Sequence, residues 1–144
     1  MPLPITAATV AAVILILQMV LMVLAGAHRA KTGIGVGDSN DDGVDQDLTR
    51  KVRRHGNLAE NSALFIVALA LAELVGAPAN VVMGFGCVFI IARLSHALAF
   101  SSLAGSHGAE GSKLFTLARI IGAFGTFLSG VGLGGYLLYL LCMA

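Results

Sequence analysis

The chain has 144 residues, 57% of them hydrophobic and only 12% charged, with a formal net charge of +1. A soluble domain carries about 25% charged residues, so this composition, with a mean hydropathy of +0.88, excludes an ordinary soluble surface. The near-neutral charge gives no footing for nucleic acid, and Cys87 and Cys142, each alone in an apolar run, have neither metal-ligand spacing nor a disulfide framework; both read as small core residues.

A bilayer crossing needs about 20 predominantly apolar residues. The first such run, 5–27, is broken only by Gln18 and two threonines; it is too long for a signal peptide and no Lys or Arg precedes it. The second, 58–75, carries Glu60 and Asn61 near its start. Residues 76–80 form a short turn in which Pro78 suits the start of the next helix. The third run is 81–103 and the fourth 114–143. The expected fold is an all-α membrane protein, a single four-transmembrane-helix bundle over 1–144.

Orientation follows from the basic residues. Arg29, Lys31, Arg50, Lys51, Arg53 and Arg54 lie between the first two runs and Lys113 lies between the last two. The positive-inside rule places both connections in the cytoplasm and both termini outside.

The first connection is rich in Gly and Asp over 33–47 and reads as a flexible loop; from Leu48 onward it reads as a helix entering the second span. Thr49 lies near that helix start, and Asp45 and Asp47 suit the positive end of its dipole. Asp38-Ser39-Asn40-Asp41-Asp42-Gly43 matches the first half of an EF-hand calcium loop, but the twelfth place holds Thr49 where a bidentate Glu belongs. A solvated acidic loop is the expectation. Gly130-Val131-Gly132-Leu133-Gly134-Gly135 satisfies a dinucleotide-binding pattern without the strand that pattern requires. Here Gly130 and Gly134 read as a helix-packing face, with Gly122 and Gly125 continuing the theme.

Ionisable groups at membrane depth are costly and mark functional sites. Glu73 lies close to the outer turn, where it reaches water. Glu60, Arg93 and Arg119 fall within roughly 15 Å of the cytoplasmic surface at about 1.5 Å of rise per residue. Arg50, Arg53, Asn57 and Glu60 step by three, four and three, and Arg93, His96 and Phe100 by three and four, so each set shares one helix face. Together they describe a polar pocket open to the cytoplasm. Its cations suit a small zwitterion with more than one carboxylate, because guanidinium forks bind carboxylates at two points. Glu60 would take an ammonium and Asn57 an amide. Glutathione offers all of these groups, as do other anionic metabolites. His28, His55 and His107 read as surface histidines, and no set of residues has metal-site spacing.

The stretch Arg50-Lys51-Val52-Arg53-Arg54-His55-Gly56-Asn57-Leu58-Ala59-Glu60 resembles the signature of the MAPEG family, the membrane-associated proteins in eicosanoid and glutathione metabolism, in a prokaryotic-type member. Ala92-Arg93-Leu94-Ser95-His96-Ala97-Leu98-Ala99-Phe100 resembles the third-span motif of its prostaglandin E synthase branch, and Leu114-Phe115-Thr116-Leu117-Ala118-Arg119 the start of its fourth span.

The resemblance implies a homotrimer with glutathione, as cosubstrate, bound between subunits near the cytoplasmic face. It implies a transferase or peroxidase acting on lipophilic electrophiles or lipid peroxides, with lipophilic small molecules and membrane lipids as partners. Arg50 and Arg53 would hold the glutathione carboxylates, Asn57 and Glu60 its backbone and amino group, Arg29 would add a basic contact, and Arg93 and His96 would line the same pocket. Two departures leave catalysis open, and no catalytic residue is assigned. The activating Arg of catalytic branches has no counterpart in Gly108-Ala109-Glu110-Gly111-Ser112-Lys113, where Lys113 offers only a point charge. A Tyr of the leukotriene-C synthase branch is replaced by His96. The family also contains a lipid-binding member without catalysis, so a non-catalytic membrane scaffold is the alternative.

Overall fold

The computed structural model describes residues 3–103 and 113–143. In chain order these form α1 (Ile5–Thr32), a two-residue-per-strand hairpin β1 (Ser39–Asn40) and β2 (Gly43–Val44), α2 (Gln46–Val75), α3 (Ala79–Ala99) and α4 (Lys113–Met143). All four helices are long and apolar enough to cross a membrane. Polar backbone cannot be left unpaired in lipid, which is why apolar runs of this length take up helix. Two helices overrun their apolar segments. α1 continues past residue 27 to Thr32, and α2 begins at Gln46, two residues before the expected Leu48.

The helix ends follow from local chemistry. Gly33 and Gly76 adopt φ of 72° and 104° and close α1 and α2 with left-handed caps, a conformation that costs glycine nothing. Asp45 caps α2, its carboxylate accepting from the Asp47 and Leu48 amides. The N-terminus of α1 follows Pro4, which has no capping side chain. Glu73 supplies the missing acceptors from the end of α2: its two oxygens take the Thr6 and Ala7 amides at 3.0 and 2.8 Å. Glu73 therefore does not merely reach water; it neutralises the positive end of a neighbouring helix.

Lipid tails are as apolar as leucine, so the helices are held by close packing and not by burial from water. The core joins Val10 and Ile14 of α1, Leu69 of α2, Val82 and Phe89 of α3 and Leu133 of α4. Phe65 and Phe89 stack with ring centroids 3.8 Å apart. The most extensive pairing is α3 with α4. It depends on Gly122, where a Cβ would sit 2.8 Å from the His96 backbone, and on Gly125, where one would meet the Ala92 Cβ at 2.8 Å.

Three expectations are corrected here. Gly130 and Gly134 do not pack a helix within this chain; a Cβ at either would meet nothing within 4 Å. Gly122, Gly125, Ser129 and Leu133 step by three, four and four, so they share the face turned to α3, and Gly130 falls off it. Cys87 and Cys142 are exposed, not core, because in a membrane bundle apolar positions also face outward to lipid. His28 and His55 are half-buried: His55 Nε2 lies 2.6 Å from Gln18 Nε2 between α1 and α2, and His28 sits among charged partners. His107 lies outside the described residues.

Gly122→Ala is expected to destabilise the bundle by about 1–3 kcal/mol, the range for overpacking a tight contact. Gly84→Ala, with open space at its Cβ, is expected to be neutral or slightly stabilising. Thermal unfolding in detergent measures both. Glu73→Ala should cost about 1 kcal/mol, as for a lost helix cap, and speed amide exchange at Thr6 and Ala7.

Candidate functional site

The N-terminal two fifths of α2, residues 46–57, project past its apolar stretch and are moored by a charged network. His28 Nε2 donates to Asp45 at 2.8 Å, and Lys51 Nζ donates to His28 Nδ1 at 2.7 Å. Asp47 accepts from Lys51 at 2.7 Å and from both Nε and Nη2 of Arg50. Thr49 donates to Asp38 at 2.7 Å, which ties the acidic loop to the first turn of α2. Asn40 accepts from the Asp42 amide within the hairpin turn. The loop expected to be flexible thus carries a hairpin and specific ties. Among the described residues no group of His, Cys, Asp or Glu is disposed to hold a metal.

This mooring presents the basic stripe of α2 to the ends of α3 and α4. A cleft of about 430 Å³ results, lined by Thr49, Arg50, Arg53 and Asn57 from α2, His96 and Phe100 at the end of α3, and Arg119 and Ala123 from α4. Four of the seven residues singled out for glutathione, Arg50, Arg53, Asn57 and His96, meet here. Glu60 lies one turn further along α2, in an adjoining cavity of about 440 Å³. Its walls are mostly apolar, with Leu64, Phe65, Phe89 and Leu133, and its floor includes Thr126 and the open faces of Gly130 and Gly134. Arg93 is buried between α3 and α4, where Nη1 donates to the Thr126 hydroxyl at 3.1 Å. It therefore reaches the second cavity through Thr126. Arg29 stands apart: its guanidinium donates to the Ile34 carbonyl at 3.2 Å and holds the start of the acidic loop.

The cations of the cleft are not equivalent. Arg50 is 7% exposed and already committed to Asp47 and, at 2.6 Å, to the Phe100 carbonyl. It ties α2 to the C-terminal end of α3, where a cation is favoured. Arg53 is exposed and makes no hydrogen bond to the described residues, which leaves its fork available. Arg119 was placed near this level by its depth in the span, but its membership of the cleft was not foreseen. Its guanidinium carbon lies 5.2 Å from the centre of the Phe100 ring, and that ring stacks on His96 at 4.8 Å. Only part of the signal was in the sequence: Arg119 and Ala123 are one turn apart, whereas the seating of Gly122 against the turn of α3 that carries His96 is long-range. The stretch 108–112, where the activating Arg of catalytic branches is missing, lies outside the described residues.

A long first connection moored to an extended second helix, four membrane-crossing helices and a cationic cleft at one end define a small multi-pass membrane protein with a polar site beside an apolar one. A sequence model described as the MAPEG family matches residues 7–139, nearly the whole chain. The chain belongs to the MAPEG family. No curated protein and no solved structure matches it.

The Asp45 carboxyl lies outside the spans and is held below the usual carboxylate range, first by the Leu48 amide and then by His28. The unfolded chain binds this proton more readily than the folded one, so stability rises with pH through the carboxylate range and is lost as pH falls through it. Melting temperature should fall less between pH 6 and pH 3 for Asp45→Asn than for the unaltered protein. Equal losses would remove Asp45 from that account.

Proposed function

We propose that this protein is a glutathione-dependent membrane transferase or peroxidase acting on lipophilic electrophiles or lipid peroxides. The observation that carries the reading is the pairing of a cationic cleft, holding Arg53, His96 and Arg119, with a largely apolar cavity one turn deeper among the same three helices. A charged tripeptide and a membrane-dissolved acceptor need two such compartments side by side. Family membership supports the same direction.

In this reading the free fork of Arg53 takes a glutathione carboxylate, Asn57 takes a backbone amide and Glu60 the ammonium. Arg50 holds the cleft open from behind, and Arg29 secures the loop. Arg93 and Thr126 mark the passage to the apolar cavity. Arg119 supplies the guanidinium that the stretch 108–113 lacks. A free thiol has a pKa of about 8.5, and a guanidinium beside the sulfur favours its ionised form. The thiolate attacks an electrophilic carbon to form a C–S bond; the carbon's leaving group departs with its electron pair or, at an epoxide or conjugated double bond, the C–O or C=C bond opens and the resulting anion takes a proton from water. With a hydroperoxide it attacks the distal oxygen, the O–O bond breaks, the alkoxide takes a proton, and a second glutathione reduces the resulting sulfenic acid to give the disulfide and water.

The subunits assemble as a homotrimer through the apolar faces left open in one chain, with the first and third connections in the cytoplasm. The alternative is a glutathione- or lipid-binding scaffold without chemistry. It is favoured by the commitment of Arg50 to Asp47, which leaves one fewer cation for a ligand.

Glutathione binding to the detergent-purified protein, with ultraviolet difference absorbance for thiolate, tests the reading. Arg53→Ala and Glu60→Ala should each weaken binding by about tenfold to a hundredfold, the range for charged hydrogen bonds. Arg119→Leu should keep binding within about threefold and lose the thiolate band. Binding without thiolate in the unaltered protein selects the scaffold. No binding at millimolar glutathione sinks the enzyme and the glutathione-binding scaffold alike and leaves only a lipid-binding scaffold.

A further inference from the structure

We infer that Phe100 is the positioning residue of the cleft, its ring and carbonyl together orienting three groups that line it: His96, Arg119 and Arg50. The consequence for sulfur chemistry rests on the glutathione reading above; the positioning itself rests on geometry.

Phe100 closes α3. Its amide donates to the His96 carbonyl at 3.2 Å, and its own carbonyl is one of the groups that a helix end leaves without an intrahelical partner. Arg50 fills that vacancy from α2 at 2.6 Å. The ring does separate work. His96 lies four residues earlier on the same face, and the two rings stack with centroids 4.8 Å apart and planes 24° from parallel. Nδ1 of His96 is buried and has no hydrogen-bond partner among the described residues. No bond to that nitrogen fixes the imidazole plane, so the stacked ring is what holds it. The guanidinium of Arg119 arrives from α4 and lies 5.2 Å from the ring centre, inside the distance over which an aromatic face attracts a cation. A long, flexible side chain is thereby confined to one place in the cleft.

A residue that only filled space would be replaced equally well by any apolar side chain of similar size. A residue that positions these groups needs an aromatic face with its negative centre. The two cases separate with three full-length variants in detergent. Phe100→Leu keeps volume and apolarity, Phe100→Tyr keeps the face, and pentafluorophenylalanine at position 100 keeps the shape but reverses the charge of the face. The first readout needs no ligand: the Arg119 side-chain protons, shifted upfield in NMR spectra by the ring beneath them. That shift should persist in Phe100→Tyr, vanish in Phe100→Leu and weaken sharply in the fluorinated protein. The second is the glutathione thiolate band, which should fall by about fivefold, the scale of one cation–aromatic contact, in the leucine and fluorinated proteins and stay within about twofold in the tyrosine protein. Glutathione affinity itself should change little, because Arg53 and the backbone contact of Arg50 are untouched.

An upfield shift with no glutathione binding would overturn the function and leave the positioning role standing. Unchanged Arg119 shifts in Phe100→Leu would overturn the positioning role whatever glutathione does. If the leucine variant does not fold, the fluorinated protein decides: a shift and a band equal to those of the unaltered protein would overturn the inference.

Discussion

The contact on which the site depends is the approach of α4 to α3 at Gly122. A Cβ there would lie 2.8 Å from the backbone of His96, so the two helices meet almost backbone to backbone. Helices in lipid gain nothing from hiding apolar surface from water, and small residues are what allow contact of this intimacy. The contact fixes both the distance and the rotation of α4. Arg119 is thereby delivered over the Phe100 ring, and Thr126, one turn beyond Gly122, is delivered to Arg93. A different rotation of α4 would turn both polar groups toward lipid, where a guanidinium is costly.

The opposite side of the site is set by a different kind of force. The first twelve residues of α2 lie beyond its apolar stretch and are held by charge: His28, Asp45, Asp47, Lys51 and Arg50 form one linked set. Surface ion pairs are individually weak, but these share partners and follow a capped helix start, so each orders the next. Their common effect is to hold one face of α2, with Arg53 and Asn57, against the ends of α3 and α4. Packing sets one wall of the cleft and electrostatics the other.

Most of the architecture was legible in the sequence because the signals were local. Apolar runs of membrane length marked the four helices, and spacings of three and four placed Arg50, Arg53 and Asn57 on one face of α2 and His96 with Phe100 on one face of α3. What escaped was long-range. That Glu73 caps α1 depends on two residues 66 positions apart meeting at one end of the bundle. That Gly122 and Gly125 pack, and Gly130 and Gly134 do not, depends on the rotation of α4; both pairs look alike in sequence. The cysteines misled for a physical reason. In a soluble protein an apolar neighbourhood implies burial, whereas in a bilayer it is equally the mark of a lipid-facing position.

The two arginines of the α2 motif show how a spacing pattern can conceal a division of labour. Arg50 and Arg53 sit one turn apart on one face, and the sequence gives no reason to separate them. The structure does: Arg50 is buried, paired with Asp47 and bonded to the end of α3, whereas Arg53 is exposed with an uncommitted fork. A guanidinium already holding a carboxylate and a carbonyl has few donors left for a third acceptor. Withdrawing it to meet a ligand would leave Asp47 with one cation fewer and a helix-end carbonyl unfilled. Arg50 therefore builds the wall against which a ligand rests, and Arg53 offers the charge that a ligand can take. The same reasoning ranks the cleft's cations without reference to any relative: affinity belongs to the groups whose partners are missing, and architecture to those whose partners are already present.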